Sequence, residues 1–476
     1  MKKILVYALA VVMAFGVFTA CGKKGGEVET PPSDPELWPG YFAVPEYEDD
    51  VTMLIGGFWA PTRHLSGSNW RDPDPAAFQD AADMGLTMLI PTIQQLDFGV
   101  SHTLGMNYLN KAYDAGLKVL VSDGGIGACH RYTDLNAWMN VWNLSSAREY
   151  TQHPAFAGQH FFDEPHYYEF DVMAEKQRMW KEEFGDSALF MINLLPDCDT
   201  LNGSKIPKVS WKNYVGDFIK NVKPEVLSYD FYPLDKNGGV DLFYYKDAAF
   251  IRQAAKDAGI PAWAYLLTAG HLNHKYNLTK EDLRYQMNMY MAYGYQSLNH
   301  FAIDVGDDPT YEQFITPAGQ RTEQWYNIQT VNREVLKWDH VYLRFNWEAT
   351  APIYANTIMD DNVTFMLNLI EDGRVEADEI EGIKSVISDE CALLGIFKDD
   401  DGNKGFMLSN ATNPNHGKTA TVTLKFETPA KGKRGYTGVQ VYEKGEPRIA
   451  LLDKDGGITI ELESGEGKFL IPLMKK

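Results

Sequence analysis

The sequence predicts an α/β protein: a (β/α)8 TIM barrel followed by an all-β sandwich. Three observations carry this. Between residues 50 and 344, a helical stretch ending in Gly and followed at once by an apolar run recurs. Eight apolar runs of strand length can be counted in that span. After residue 345 helical periodicity stops, and short alternating runs joined by turn residues take over.

The chain opens with Lys2 and Lys3, then the apolar run ILVYALAVVMAFGVF, then FTAC ending at Cys21. A basic start, an apolar middle and small residues before a cysteine make a secretory signal. It resembles a bacterial lipoprotein signal over residues 1–20, with Cys21 taking the lipid. The run is short for a bilayer span, and a short membrane anchor is the alternative. Residues 21–49, beginning CGKKGGEVETPPSDPE, read as a tether. Surface-exported lipoproteins often carry acids right after the cysteine, but here Lys23 and Lys24 come first. The membrane face, periplasmic or external, therefore stays open.

Barrel strands are expected at 52–59, 86–92, 117–123, 157–164, 188–195, 226–233, 261–268 and 297–304. The repeating units read AADMGLTMLIPT, AYDAGLKVLVSDGG, AAKDAGIPAWAYLL and AYGYQSLNHFAIDV. Gly suits a left-handed helix cap, and the apolar run after it suits a strand buried on both faces. Helices are expected between strands, for example at 168–184 and 242–259. Such alternation implies βαβ units and a parallel sheet, and eight units imply closure. An open doubly wound sheet would bring a Gly-rich phosphate loop after its first strand. GGFWAPTRH is not one.

The sandwich is expected over 345–476, in the runs VTFMLNLI, LLGIF, GFMLSN, ATVTLKF, VQVYE, ITIELE and KFLIPL. DDDGN and DKDGG join them as turns. Neither acidic turn has the spacing of a calcium loop, and no cysteine–histidine spacing suggests zinc, so neither metal nor cofactor is expected. Cys129, Cys198 and Cys391 remain after Cys21: either one 129–198 bridge or three buried thiols.

The net charge of −21 repels nucleic acid, which is excluded as a partner. Eleven Trp and 26 Tyr exceed what a core needs and suit stacking on flat ligands such as sugars. Oligomeric state is not legible.

In such a barrel the site lies at the C-terminal ends of the strands. Those ends offer Trp59, Arg63 and His64 after the first strand, and Asp123 after the third. The fourth gives Asp163 and Glu164, the fifth Asn193, and the sixth Tyr229, Asp230 and Tyr232. The seventh gives Trp263, Tyr265 and His271, and the eighth His300 and Asp304. Carboxyls, amides and rings converging on one mouth fit sugar cleavage: rings face pyranose faces, and a carboxyl pair supplies acid and base or nucleophile. Adjacent carboxylates repel and an apolar surround disfavours charge, so one can keep a proton and act as the acid.

HPAFAGQHFFDEP resembles the fourth-strand motif of clan-A-type (β/α)8 glycoside hydrolases, where Asn-Glu-Pro ends the strand and Glu is the acid/base. VLSYDFYPL resembles sixth-strand segments of lipoprotein glycosidases from polysaccharide-utilisation systems. LLGIFKDDDGNKGFMLSNAT and GEGKFLIPL resemble their appended β-sandwiches. The likeness covers most of 50–475. It implies Glu164 as acid/base. Asp163 replaces the clan's Asn, and PAWAYLLTAG has no Glu where the clan places its nucleophile.

The expected function is thus a lipid-anchored envelope glycoside hydrolase acting on a poly- or oligosaccharide. Glu164 is the acid/base and Asp230 the second carboxylate, with Asp304 and Asp163 behind it. Trp59, Arg63, His64, Asp123, Asp163, Asn193, Tyr229, Tyr232, Trp263, Tyr265, His300 and Asp304 are expected to bind substrate. The alternatives are a non-catalytic glycan-binding lipoprotein on a degenerate barrel, and a substrate-assisted hexosaminidase using Asp163 and Glu164. An esterase is disfavoured because no GxSxG elbow occurs.

Overall fold

The structure is a computed structural model. It describes residues 40–476 except 60, 62–73, 130–131, 186–187, 198–209, 304–309, 317–318, 357–360, 428–434 and 445–446. Cys21, Arg63, His64, Cys198 and Asp304 lie outside the described residues.

Eight parallel strands close into a barrel in sequence order. They are β1 (Leu54–Phe58), β2 (Met88–Ile90), β3 (Lys118–Val121), β4 (Phe156–Asp163), β5 (Phe190–Leu194), β6 (Leu227–Asp230), β7 (Ala262–Leu267) and β8 (Ser297–Phe301). Leu54 pairs with Ser297 where β1 meets β8. The outer helices are α1 (Pro75–Asp83), α2 (His102–Asp114), α3 (Phe170–Phe184), α4 (Trp211–Val222), α5 (Tyr244–Ala258), α6 (Lys280–Ala292) and α7 (Glu323–Val335). Short helical turns at Leu135–Met139 and Ala147–Tyr150 fill the step from β3 to β4. The glycines of the four repeated units, Gly85, Gly116, Gly259 and Gly294, all have left-handed backbone. Each ends a helix where an L side chain would be strained, which is why the chain turns there into a strand.

Two antiparallel sheets follow, ordered β10-β13-β16 and β15-β14-β17-β12-β11-β9. Their strands are β9 (Phe345–Ile353), β10 (Ile383–Ser388), β11 (Ala392–Asp399), β12 (Lys404–Asn410), β13 (Ala420–Phe426), β14 (Tyr436–Tyr442), β15 (Arg448–Leu451), β16 (Gly457–Leu462) and β17 (Gly467–Met474). Alternate residues such as Val422, Leu424, Ile460, Leu408 and Leu470 fill the space between the sheets. VTFMLNLI is not a strand. It lies in α8 (Asp361–Asn368) and the turn after it. Val363, Met366, Leu367 and Ile370 are its buried residues, and that is helical spacing.

The outer face of the larger sheet packs on α6. Asn288 Nδ2 donates to the Gly465 carbonyl at 3.0 Å. A Cβ on Gly395 would sit 2.1 Å from the Ala292 carbonyl, so the strand touches the helix end. Clamped between barrel and sheet, α6 is buried from Asp282 through Ala292. Residues 41–47, expected in the tether, instead lie along the sandwich. Phe42 bridges to Lys475, and Tyr47 Oη donates to Asp399 at 2.9 Å. Burial of Phe42 and that hydrogen bond hold them there.

Candidate active site

Strand side chains alternate between the barrel interior and the helices. Phe58, Met88, Ile90, Leu120, Met191, Val226, Trp263 and Tyr265 form one interior cluster and close the barrel. Above it, at the C-terminal strand ends, opens a cavity of about 810 Å3. Asp163, Glu164, Asn193, Asp230, Tyr232 and Tyr265 line it, as do Trp59 and His271.

The end of β4 is locally irregular. Its register to β5 shifts between His160 and Phe162, so Phe161 is an extra residue. The bulge turns Asp163 inward, opposite Asn193. Glu164 then adopts a left-handed backbone with φ of 47°, and its N–H donates to the Asn193 carbonyl at 2.9 Å. That conformation is costly for glutamate and is over-represented at functional sites. Six non-glycine residues of the described chain are left-handed, and four of them, Trp59, Cys129, Glu164 and Leu272, line this cavity.

Asn193 ties two carboxylates together. Its Nδ2 donates to Asp163 Oδ1 at 3.1 Å and to Asp230 Oδ1 at 2.8 Å. Both bonds leave one nitrogen, so the two acceptor oxygens lie within about 6 Å of each other. Ser228 Oγ donates to Asn193 Oδ1 at 2.8 Å, which fixes the amide with its NH2 towards the acids. Asp230 is buried, and burial drives its carboxyl well above the ordinary aspartate range. The negative charges of Glu164 and Asp163 push it further, against the Asn193 hydrogen bond. The site therefore holds a carboxyl biased towards its protonated form beside two other carboxyls.

The walls are aromatic. Tyr232 lies 5.2 Å from Phe301 and 5.5 Å from His271, ring centre to ring centre. His271 stacks on Tyr311 at 5.4 Å, and Tyr311 meets Trp59 edge-on at 5.3 Å. Burial lowers the imidazoles. His160 falls to about 4, and His274 also to about 4 with help from His271, while His271 itself is lowered. At neutral pH these rings donate and accept hydrogen bonds without charge. Among the described residues no group of His, Cys, Asp and Glu could hold a metal ion.

Trp59, Asp163, Glu164, Asn193, Asp230, Tyr232 and Tyr265 thus share one cavity. Four expected binding residues do not reach it. Asp123 is wholly buried as a cap: it accepts from Gly125 N at 2.7 Å and from Tyr150 Oη at 2.8 Å. Burial raises its carboxyl to about 6. Tyr229 precedes inward-facing Asp230 and so points outward, with its hydroxyl 3.2 Å from that of Tyr290 on α6. His300 also faces the helices, between Thr268 Oγ1 at 2.9 Å and Asn332 Oδ1 at 2.8 Å. Trp263 faces inward but opens β7 rather than ending it, so it lies in the closed interior.

The cavity also contains Cys129, His160, His274 and Tyr311, which reading the strand ends missed. His160 sits before the bulge on the inward phase of β4, and only the phase of the strand would have revealed it. Cys129 Sγ lies 3.6 Å from His160 Nδ1. His274 and Tyr311 belong to loops, where no periodicity helps.

No protein-family model matches the chain, and no curated protein does. Among solved structures, a glycoside hydrolase family 30 subfamily 8 xylanase from Clostridium acetobutylicum overlaps 90% of this chain and 97% of its own, at 8% identity and a TM-score of 0.41. A β-galactosidase from the psychrophilic Marinomonas ef1 overlaps 67% of this chain and 65% of its own, at 11% identity and 0.44. The endoglucanase Cel5A from Pseudomonas stutzeri overlaps 60% and 96%, at 12% identity and 0.39. Overlaps this loose leave any assignment to the cavity's own residues.

Proposed function

We propose that the protein is a glycoside hydrolase acting on a poly- or oligosaccharide at the bacterial cell envelope. The observation that carries this is the cluster of three carboxyls, Asp163, Glu164 and Asp230, in an aromatic-walled cavity at the C-terminal ends of the strands. Trp59, Tyr232, Phe301 and Tyr311 supply faces for sugar rings, and the carboxyls supply the proton transfers of glycosidic cleavage. Glu164 and Asp230 are the reacting pair. The sequence motif makes Glu164 the acid. Burial and neighbouring charge favour the protonated form of Asp230, which supports the reverse assignment: Asp230 donates the proton, and Glu164 attacks or activates water. β5 separates their two strands, and adjacent strands lie about 4.8 Å apart, which favours a wide pair and inversion.

The test is a panel of polysaccharides and oligosaccharides incubated with the full protein and assayed for new reducing ends. Release from at least one member is expected. Tight binding of a glycan with no release would instead support a non-catalytic glycan-binding role.

The envelope location rests on the N-terminal signal. Among the described residues no helix is long and apolar enough to cross a membrane. Cys21→Ser is expected to move the protein from the membrane fraction to the soluble fraction and to abolish labelled palmitate incorporation. Equal labelling of wild type and variant would place the anchor elsewhere.

A further inference from the structure

Two loops form one rim of the cavity. The loop after β6 carries Tyr232 and Asp241, and the loop after β7 carries His271, Leu272 and His274. They are laced to each other. Lys236 N donates to the Asn273 carbonyl at 2.9 Å, and Lys275 N to the Leu234 carbonyl at 3.0 Å. Asp235 forms a bridge with His274. Tyr232 meets the His274 ring at 5.4 Å.

This rim does not stand alone. A turn of the β-sandwich, Asn413 to His416 between β12 and β13, reaches across to it. Asn413 Nδ2 and Asn415 Nδ2 both donate to the Gly238 carbonyl at 2.9 Å. Gly238 has φ of 85°, and a Cβ there would lie 3.4 Å from Asn415, in van der Waals contact with the turn. Lys275 Nζ donates to Asn415 Oδ1 and pairs with buried Asp282 at 2.7 Å. The turn itself is fixed: Asn413 Oδ1 accepts from Asn415 N at 2.9 Å, and Ser464 Oγ donates to the Pro414 carbonyl at 3.2 Å.

We propose that Asn413 and Asn415 of the β-sandwich are positioning residues for the cavity, holding the β6 and β7 loops and with them Tyr232, His271 and His274. Isolated bridges and a few backbone bonds hold the two loops in place of the continuous ladder that holds the strands, so each added side-chain bond counts in how often they open. Two bonds to one carbonyl, reinforced through Lys275, tie the sandwich turn to them. The sandwich then acts as a brace for the substrate rim rather than an independent appendage.

The experiment compares the full chain with Asn413→Ala/Asn415→Ala and with the milder Asn415→Ala, which keeps the Asn413 cap. Amide hydrogen exchange is followed by mass spectrometry. Peptides covering 233–241 and 270–276 should exchange about thirtyfold faster in the double variant, since both bonds to the Gly238 carbonyl are lost together, while β11, β12 and β17 keep their protection. Unchanged protection in both loops would overturn the proposal, and so would a loss spread equally through the sandwich. The effect on turnover rests on the glycosidase reading. On a substrate cleaved by wild type, KM should rise several-fold with kcat within about twofold, because the rim binds and the acids react. Equal kcat and KM in variant and wild type would also count against the brace. Failure of wild type to cleave any glycan would sink the glycosidase reading and leave the exchange result to decide this one.

Discussion

Glu164→Gln is expected to lower turnover of any glycan the protein cleaves by at least about a hundredfold, the usual scale for losing a carboxyl that acts on the reacting atoms. The fold should survive. The amide is nearly isosteric, and the bond that anchors this position, Glu164 N–H to the Asn193 carbonyl, belongs to the backbone. The loss should extend to activated aryl glycosides such as dinitrophenyl glycosides. Their leaving group departs without a proton, so an attacking or water-activating carboxyl is still required when the acid is not. Near-wild-type turnover in the folded variant would remove Glu164 from the mechanism. Selective recovery on the dinitrophenyl substrate would return the acid role to Glu164, as the sequence motif has it.

The barrel was readable because its signals are local and repeated. Gly85, Gly116, Gly259 and Gly294 mark helix ends by backbone chemistry alone, and the short apolar runs directly after them suit strands buried on both faces. The site was readable only in part, for a geometric reason. Knowing where a strand ends does not say which of its last residues faces inward. Asp230 and Tyr229 are neighbours, and one lines the cavity while the other packs on α6. Asp163 faces inward only because Phe161 is bulged, which no periodicity predicts. The sandwich was readable from alternation, but β10 mixes polar and apolar residues on both faces and β15 is only four residues long, so neither stands out, and the segment of α8 reads as one more short apolar run. The Val363, Met366, Leu367, Ile370 spacing was present and would have corrected it.

Asp230→Asn separates chemistry from stability. Turnover of a natural glycan should fall by about 10²–10⁴-fold, because the proton donor is gone. A dinitrophenyl glycoside, which needs no donor, should be spared to within about tenfold of wild type. The wild-type rate should decline as pH rises through the raised Asp230 pKa, and the variant should lose that decline. Stability should move the other way. Native Asp230 binds its proton more tightly than the unfolded chain does, so between the ordinary aspartate pKa and the raised native one the native state holds more protons. Wild-type stability attributable to this group therefore falls as pH rises across that window. Asn keeps the acceptor oxygen for Asn193 and carries no charge. The variant should accordingly match wild type near pH 4 and gain on it towards neutrality, by about 0.5–2 kcal/mol, the range usual for relieving a destabilised active-site group. Urea melts at several pH values measure this directly. A variant equally or less stable than wild type at neutral pH would mean that Asp230 sits there ionised and well compensated, and the proton donor would have to be sought in Glu164 or Asp163.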